Sequence, residues 1–284
     1  MNRKLALILL LAAALIGCKS KKKGDELNAL IEWHTVTIDD SYDPEGMVAD
    51  DCGKMYETKL RLLRPTIRSN RQPELQTWMD SVMTTRYYWL FPSHNAPLDT
   101  LALQLAQHRK QEYLESIAGV QNKALLYSLA SQLSVTDSVV YNKDGLLSLL
   151  LYYENYSGGA HAIYGYYTKS YDLDLQQTIT PASLLDLSHQ DKILDLVRAK
   201  IPELDSTDSE VEHWASYAEL VDTDRLFVPE NLYLTDQGVT LVYNPYEVGP
   251  YAMGELIITL PYDQLKPYLL PPYDRLAPDQ PVLP

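Results

Sequence analysis

The stretch LLYSLASQLSVTDSVVYNKDGLLSLLLYYENY, residues 125–156, decides the fold because it holds two apolar segments joined by a turn. Residues 125–141 and 146–156 are rich in leucine, valine and tyrosine, and they flank Asn142-Lys143-Asp144-Gly145. A turn of this composition between two such segments is a strong signal for a β-hairpin. The stretch therefore predicts two antiparallel strands.

Blocks of strand and helix patterns lie on either side of this hairpin. Before it, alternating apolar residues predict strands over 31–38 and 55–63, with Pro65 ending the second, and helical spacing predicts helices over 73–90 and 98–117. After it, the patterns predict a strand over 162–173, a helix start at Thr180-Pro181 and short helices over 182–186, 189–200 and 209–220. They then predict strands over 232–234, 239–243 and 255–260, and a helix over 261–269. This order indicates an α+β fold, an antiparallel sheet with helices packed on it, in two successive subdomains.

Five segments follow from composition and pattern. They are a signal peptide at 1–17, a flexible tether at 18–28, an N-terminal α+β domain at 29–170, a C-terminal α+β domain at 171–270 and a proline-rich tail at 271–284.

The signal segment decides where the protein is expected to act. Arg3 and Lys4 precede an apolar run over 5–16, which is shorter than the roughly 20 residues that a helix needs to cross a bilayer. The run ends in Leu15-Ile16-Gly17-Cys18, which resembles the lipobox of bacterial lipoproteins, where the cysteine is acylated and the preceding segment is removed. The resemblance implies an exported chain held in the lipid bilayer by fatty acids on Cys18. An ordinary secretory signal with a chance cysteine is the alternative.

The charge of the mature chain limits its partners. Without Arg3 and Lys4 the formal charge falls from −14 to −16, and without the four lysines over 19–23 it falls to −20. Such an acidic body repels nucleic acid. Its charge could attract cationic proteins, or it could serve only to keep the protein soluble. We expect the lysines over 19–23 to lie against the anionic lipid headgroups. Because Lys19 replaces the aspartate that retains some lipoproteins in the inner membrane, we expect the outer membrane, facing the periplasm.

The cysteines and histidines give no sign of a metal or cofactor. Cys52 is the only cysteine besides Cys18, and its neighbours Asp50 and Asp51 disfavour a reactive thiolate, so we interpret it as structural. The six histidines show no His-Glu-x-x-His pattern, and no glycine-rich phosphate loop precedes a helix. The sequence therefore predicts no metal site and no cofactor.

The first candidate motif is Tyr156-Ser157-Gly158-Gly159-Ala160-His161, which lies between two tyrosine-rich strands. Adjacent glycines permit positive φ and close backbone approach. Ser157 could act as a nucleophile with His161 as its base, but a strand–turn–strand context does not match the strand-to-helix elbow of Gly-x-Ser-x-Gly enzymes. A turn with a hydrogen-bonded histidine is the favoured interpretation.

The second candidate motif is the loop over 244–254, which contains two prolines and two glycines. Tyr246, Glu247 and Tyr251 could line a cleft, because tyrosine rings with a carboxylate suit either a sugar or a basic protein ligand. A packed loop with structural tyrosines is the alternative.

Both motifs carry a resemblance to a family of bacterial envelope proteins. The matching segments are YENYSGGAH at 153–161, YDLD at 171–174, TIT at 178–180, YLTDQG at 233–238 and NPYEVGPYAMG at 244–254. Members of this family carry two successive domains of unknown function, in the extracellular part of RsiV-like anti-sigma factors that bind lysozyme and in the accessory region of some peptidoglycan deacetylases. The resemblance covers roughly residues 31–269. The chain lacks the transmembrane and sigma-binding segments of the former and the catalytic domain of the latter.

Three hypotheses follow. The first is a non-catalytic envelope lipoprotein that binds a lysozyme-like protein or a peptidoglycan fragment, not an enzyme. Its predicted ligand-binding residues are Tyr156, Gly158, Gly159, His161, Tyr246, Glu247 and Tyr251. The second is an enzyme acting on envelope polymers, with Glu247, Asp172 or His161 as acid or base. The third is a purely structural envelope protein.

Overall fold

The computed structural model describes residues 24–44, 54–69, 72–91, 95–204 and 216–277. The signal peptide, Cys18, Cys52, residues 209–215 of one predicted helix and residues 278–284 of the tail lie outside this range. Among the described residues, no helix has both the length and the apolar composition that a membrane crossing requires.

A six-stranded sheet, whose strands are adjacent in chain order, forms the frame of the molecule. Helix α1 (residues 24–30) precedes it. The strands are β1 (Ile31–Tyr42), β2 (Tyr56–Ile67), β3 (Ser131–Lys143), β4 (Leu146–Tyr156), β5 (Ile163–Asp172) and β6 (Gln177–Ile179). All neighbours are antiparallel except β2 and β3, which are parallel. The parallel pair needs a crossover connection, which contains α2 (Pro73–Arg86), α3 (Leu98–Ile117) and α4 (Lys123–Ser128).

The predicted hairpin is confirmed, and its turn is two residues long. Asp144 and Gly145 have φ values of 56° and 79°, which both fit a turn of type I′. Asn142 and Lys143 belong to β3, where Lys143 pairs with Leu146.

Three predicted strand boundaries are wrong. Strand β1 continues beyond residue 38 to Tyr42. Pro65 does not end β2 but pairs with Trp33 of β1. Because β3 pairs with β2 only as far as Arg61, no strand of the sheet lies on the other side of Pro65, and a proline is tolerated there. The strand predicted from residue 125 begins only at residue 131, since Asn122 caps helix α4 by accepting hydrogen bonds from two backbone N–H groups.

The predicted tether is shorter than expected, because α1 packs against the β3–β4 hairpin. The Asn28 side chain is buried and donates hydrogen bonds to Oδ1 of Asn142 (2.6 Å) and to the carbonyl of Leu146 (2.9 Å). It also accepts one from the N–H of Gly145 (2.7 Å). Residues 24–28 are therefore fixed to the body.

A second, antiparallel sheet contains β7 (Leu232–Leu234), β8 (Gly238–Tyr243) and β9 (Leu256–Pro261). The helices of this part are α5 (Pro181–Leu184), α6 (Gln190–Leu204), α7 (Tyr217–Leu220) and α8 (Tyr262–Leu265). Thr180 is the N-cap of α5, as its sequence predicts, and it also forms a capping box with Ser183. One core lies between the large sheet and α2 and α3, and another between the small sheet and α6. The predicted α+β class with two sub-parts is confirmed, and the predicted boundary at residues 170 and 171 lies inside β5.

Candidate functional site

The two glycine-rich segments meet. The His161 ring stacks on the Tyr251 ring, with centroids 3.8 Å apart and an interplanar angle of 22°. The Tyr251 hydroxyl donates a hydrogen bond to the carbonyl of Ala162 (2.7 Å). The turn after β4 and the loop after β8 therefore form one continuous surface.

Close backbone packing fixes the turn after β4. The Tyr156 hydroxyl donates to the carbonyl of Gly159 (2.9 Å). Gly158 has φ +83° and lies so close to Ser128 that a β-carbon would stand 2.1 Å from the carbonyl oxygen. Gly159 also has positive φ (+104°), but a β-carbon there would meet nothing within 4 Å. Any other residue at position 158 would therefore both clash with Ser128 and adopt an unfavourable positive φ.

The loop over 244–254 places its three predicted residues differently. Tyr246 is 58% exposed, and its ring centroid lies 5.5 Å from that of Tyr251. The Glu247 carboxylate instead accepts a hydrogen bond from the backbone N–H of Asn244 (2.7 Å). Tyr246 and Tyr251 therefore share the surface of His161, whereas Glu247 holds the loop in shape.

Further tyrosines and two glutamates extend this surface along β4 and β5. The Tyr152 ring lies 5.2 Å from that of Tyr166, and the Tyr164 ring lies 5.7 Å from that of Tyr251. The Tyr152 hydroxyl donates to Glu154 (2.9 Å), and the Tyr166 hydroxyl donates to Glu255 (3.2 Å). We call this region the tyrosine–glutamate surface, and define it as Tyr152, Glu154, His161, Tyr164, Tyr166, Tyr246, Tyr251 and Glu255.

The glutamates change the acidity of the tyrosines. Burial first, and then the charge of Glu255, raise the pKa of Tyr164 and the pKa of Tyr166 to about 12. Because a raised pKa favours the neutral phenol in the folded state, these groups stabilise the fold below pH 10 and lose that effect as the pH rises through about 12.

We expect Glu255→Gln to lower the pKa of both tyrosines, because it removes a negative charge beside each phenol. Titration of the tyrosine ring NMR signals, assigned with Tyr164→Phe and Tyr166→Phe variants, measures the effect. Glu26→Gln, an exposed change on α1, is the matched control and should leave both pKa values where they are. Unchanged pKa values in Glu255→Gln contradict the assignment.

Two asparagines dock the C-terminal part onto the free edge of β5. The N–H of Tyr166 donates to Oδ1 of Asn244 (2.8 Å), and the N–H of Thr168 donates to Oδ1 of Asn231 (2.7 Å). The side chains of Asn231 and Asn244 also donate to the carbonyl of Tyr166, at 2.6 and 3.1 Å respectively. The backbone groups that an edge strand leaves open are thus satisfied here by side-chain amides.

A groove of about 760 Å³ lies beside this junction. Its lining includes Trp78, Ser81, Val82, Thr85, Arg86 and Trp89 on or just after α2, Tyr167, Lys169 and Tyr171 on β5, and Phe227, Pro229, Glu230 and Glu247 on the C-terminal part. The sequence did not predict this groove, because Trp78 and Val82 have the three- and four-residue spacing that is typical of the buried face of a helix. No local sequence signal connects residues so far apart along the chain.

An ion pair is buried at the base of the groove. The Arg86 guanidinium donates two hydrogen bonds to the carboxylate of Asp137 (2.6 and 2.7 Å), and the two side chains are 3% and 0% exposed. The Tyr87 hydroxyl donates to the same carboxylate (2.8 Å). Burial, followed by the Asp137 charge, raises the pKa of Tyr87 well above its ordinary range. This network joins the end of α2 to β3.

The three proposed acid–base residues do not meet in one cleft. His161 precedes β5, whereas Asp172 is its last residue, and a strand of this length spans about 30 Å. The Asp172 carboxylate is buried and accepts a hydrogen bond from the N–H of Leu175 (2.9 Å). Glu247 lies in the groove. Within the described ranges, no group of three or more histidine, cysteine, aspartate or glutamate residues has the arrangement to hold a metal ion.

Comparison with known proteins identifies one domain and the fold. The DUF3298 family model, described as a protein of unknown function, matches residues 183–263. This match confirms the predicted resemblance at the level of a domain of unknown function. A search of curated proteins gave no significant match.

Two solved structures share the fold. A member of the DUF3298 family from Bacteroides fragilis superposes with a TM-score of 0.66 at 19% identity, covering 84% of this chain and 94% of that chain. A DUF3298 family protein from Pseudomonas aeruginosa gives a TM-score of 0.54 at 16% identity, covering 89% of this chain and 100% of that chain. At such identities the likeness shows the fold alone.

Proposed function

We propose that this chain, with a DUF3298 domain over residues 183–263, is a lipid-anchored protein of the bacterial cell envelope that binds a cationic, lysozyme-like protein without turning it over. The anchor is Cys18 and the binding site is the tyrosine–glutamate surface. The stacking of His161 on Tyr251 carries the proposal, because it merges both motifs into a single contact area.

The chemistry of the surface suits a cationic partner. Tyrosine rings attract lysine and arginine side chains through their π faces. Glu154 and Glu255 add two carboxylates, and no lysine or arginine among the described residues forms a salt bridge with either. The net charge of −20 outside the signal and the lysine-rich segment supports fast association with a basic protein, since opposite fields steer the encounter.

The test uses the mature, acylated protein in lipid nanodiscs, titrated by calorimetry with a cationic lysozyme. We expect micromolar or tighter binding that weakens as the salt concentration rises. The double variant Glu154→Gln/Glu255→Gln should bind at least tenfold more weakly, about 1.4 kcal/mol. The Cys18→Ser variant should no longer be found in the membrane fraction. Its affinity for lysozyme should be unchanged, because Cys18 lies outside the binding surface.

The matched control is Glu26→Gln/Glu74→Gln, which removes the same charge from exposed helix positions and should bind as the unmodified protein does. Absence of binding up to about 100 μM lysozyme contradicts the proposal. An equal loss of affinity in both double variants would show that net charge, and not this surface, decides binding.

A further inference from the structure

The groove between α2, β5 and residues 227–231 lies outside the tyrosine–glutamate surface and has its own chemistry. We propose that it is a second binding site, which takes a neutral saccharide of about two rings, since 760 Å³ is in the range of pockets for ligands of that size. Three observations lead to this assignment: exposed aromatic rings, free polar groups beside them, and a strand edge that is already occupied.

Aromatic rings form the walls. Trp89 is 48% exposed and Tyr167 is 47% exposed, and their ring centroids lie 5.8 Å apart. Tyr153 stacks on Tyr167 from the adjacent strand at 5.3 Å and supports it. Deeper in the groove, Trp78 meets Tyr171 edge-on at 5.9 Å. A sugar ring presents a flat face of C–H groups, which packs on an aromatic ring and removes the apolar surface of both from water.

Polar groups without a protein partner stand between the rings. The side chains of Ser81, Thr85, Lys169 and Glu230 line the groove, and none of them has a hydrogen bond or ion pair with another described residue. Each sugar hydroxyl can both donate and accept, so a hydroxyl, ammonium and carboxylate lining can satisfy a saccharide. Lys169 and Glu230 offset each other in charge, and Asp137 neutralises Arg86. Glu247, whose carboxylate accepts a hydrogen bond from the N–H of Asn244, leaves one net negative charge, which disfavours an anionic ligand and is compatible with a neutral one.

The edge of β5 argues against an extended peptide as the occupant. Peptides that bind beside a strand pair with its free N–H and C=O groups. At Tyr166 and Thr168 the outward N–H groups already donate to Asn244 and Asn231, and the Tyr166 carbonyl already accepts from both. A ligand in the groove must therefore bind through side chains, as a saccharide does.

The experiment titrates the mature, acylated protein in nanodiscs with chitotetraose and cellotetraose, followed by calorimetry and tryptophan fluorescence. We expect saturable binding of at least one oligosaccharide. Trp89→Ala and Tyr167→Ala should each weaken it about tenfold, because each removes one ring from the wall. Both side chains are about half exposed, and an unchanged unfolding transition shows that the fold persists.

The control is Tyr246→Ala, which lies on the tyrosine–glutamate surface and should leave oligosaccharide binding unchanged. Conversely, Trp89→Ala should bind lysozyme as the unmodified protein does, so that a failure of one site is distinguishable from a failure of the other. Absence of saturable binding to both oligosaccharides overturns the proposal. So does sugar binding that survives both aromatic substitutions, or saturable binding of an unstructured peptide in their place.

Discussion

Asp137→Ala is expected to lower the free energy of unfolding by about 3–5 kcal/mol, because it leaves the buried Arg86 guanidinium without a counter-charge. The same change removes the acceptor of the Tyr87 hydroxyl. Urea denaturation followed by circular dichroism measures the loss as a shift of the midpoint at constant slope.

The matched control is Asp99→Ala, because Asp99 also accepts two hydrogen bonds from one arginine, Arg64, but on the exposed surface. Its loss should cost less than about 1 kcal/mol, since solvent screens the pair. The double variant Arg86→Met/Asp137→Leu should be more stable than Asp137→Ala, because no buried charge remains unpaired. Similar costs for Asp137→Ala and Asp99→Ala would contradict the structural role of the buried pair.

Gly158→Ala is expected to displace the turn after β4 and to weaken lysozyme binding at least tenfold. A new β-carbon would stand 2.1 Å from the carbonyl oxygen of Ser128, so the turn must shift by more than 1 Å to restore an ordinary contact. The positive φ of Gly158 adds about 1–2 kcal/mol of backbone strain for any residue with a side chain. His161, three residues later, would lose its place on Tyr251.

Gly159→Ala separates these two causes. Gly159 also has a positive φ, but a β-carbon there would meet nothing within 4 Å, so the cost should be limited to the backbone strain. Urea unfolding and the lysozyme titration, made on both variants, measure the difference. If both alanine variants bind lysozyme equally well, the contact with Ser128 does not position the site.

Sequence signals predicted the parts of the fold that depend on neighbours along the chain. The Asp144-Gly145 turn, the cap at Thr180 and helix α3 over Leu98–Ile117 are all set by residues within a few positions of each other. The short helix α4 was missed because six residues, Lys123–Ser128, are too few to establish a helical period. The parallel pairing of β2 with β3 was missed because it joins strands separated by two long helices.

The candidate site shows the same division. Glycines marked both the turn at Gly158 and the loop after β8, but the stacking of His161 on Tyr251 joins residues that no sequence pattern relates. The groove was invisible for a different reason. Trp78 has the spacing of a core residue on α2, and only the packed structure distinguishes its position at the groove wall from the fully buried position of Met79.

If Cys18 carries the proposed lipid anchor, the attachment of α1 to the hairpin sets which end of the molecule lies near the membrane. Asn28 is fixed beside Leu146, at the start of β4, whereas the His161–Tyr251 contact lies beyond its other end, about 33 Å away. With fatty acids on Cys18, the segment from Cys18 to the start of α1 at residue 24 extends at most about 20 Å, so the bilayer would lie nearer the hairpin. With β4 upright on the bilayer, a protein bound at the far end would stand about four Debye lengths, of about 8 Å each, from the hairpin. The proposed binding site would then face the aqueous side, beyond the electrostatic reach of the lipid surface.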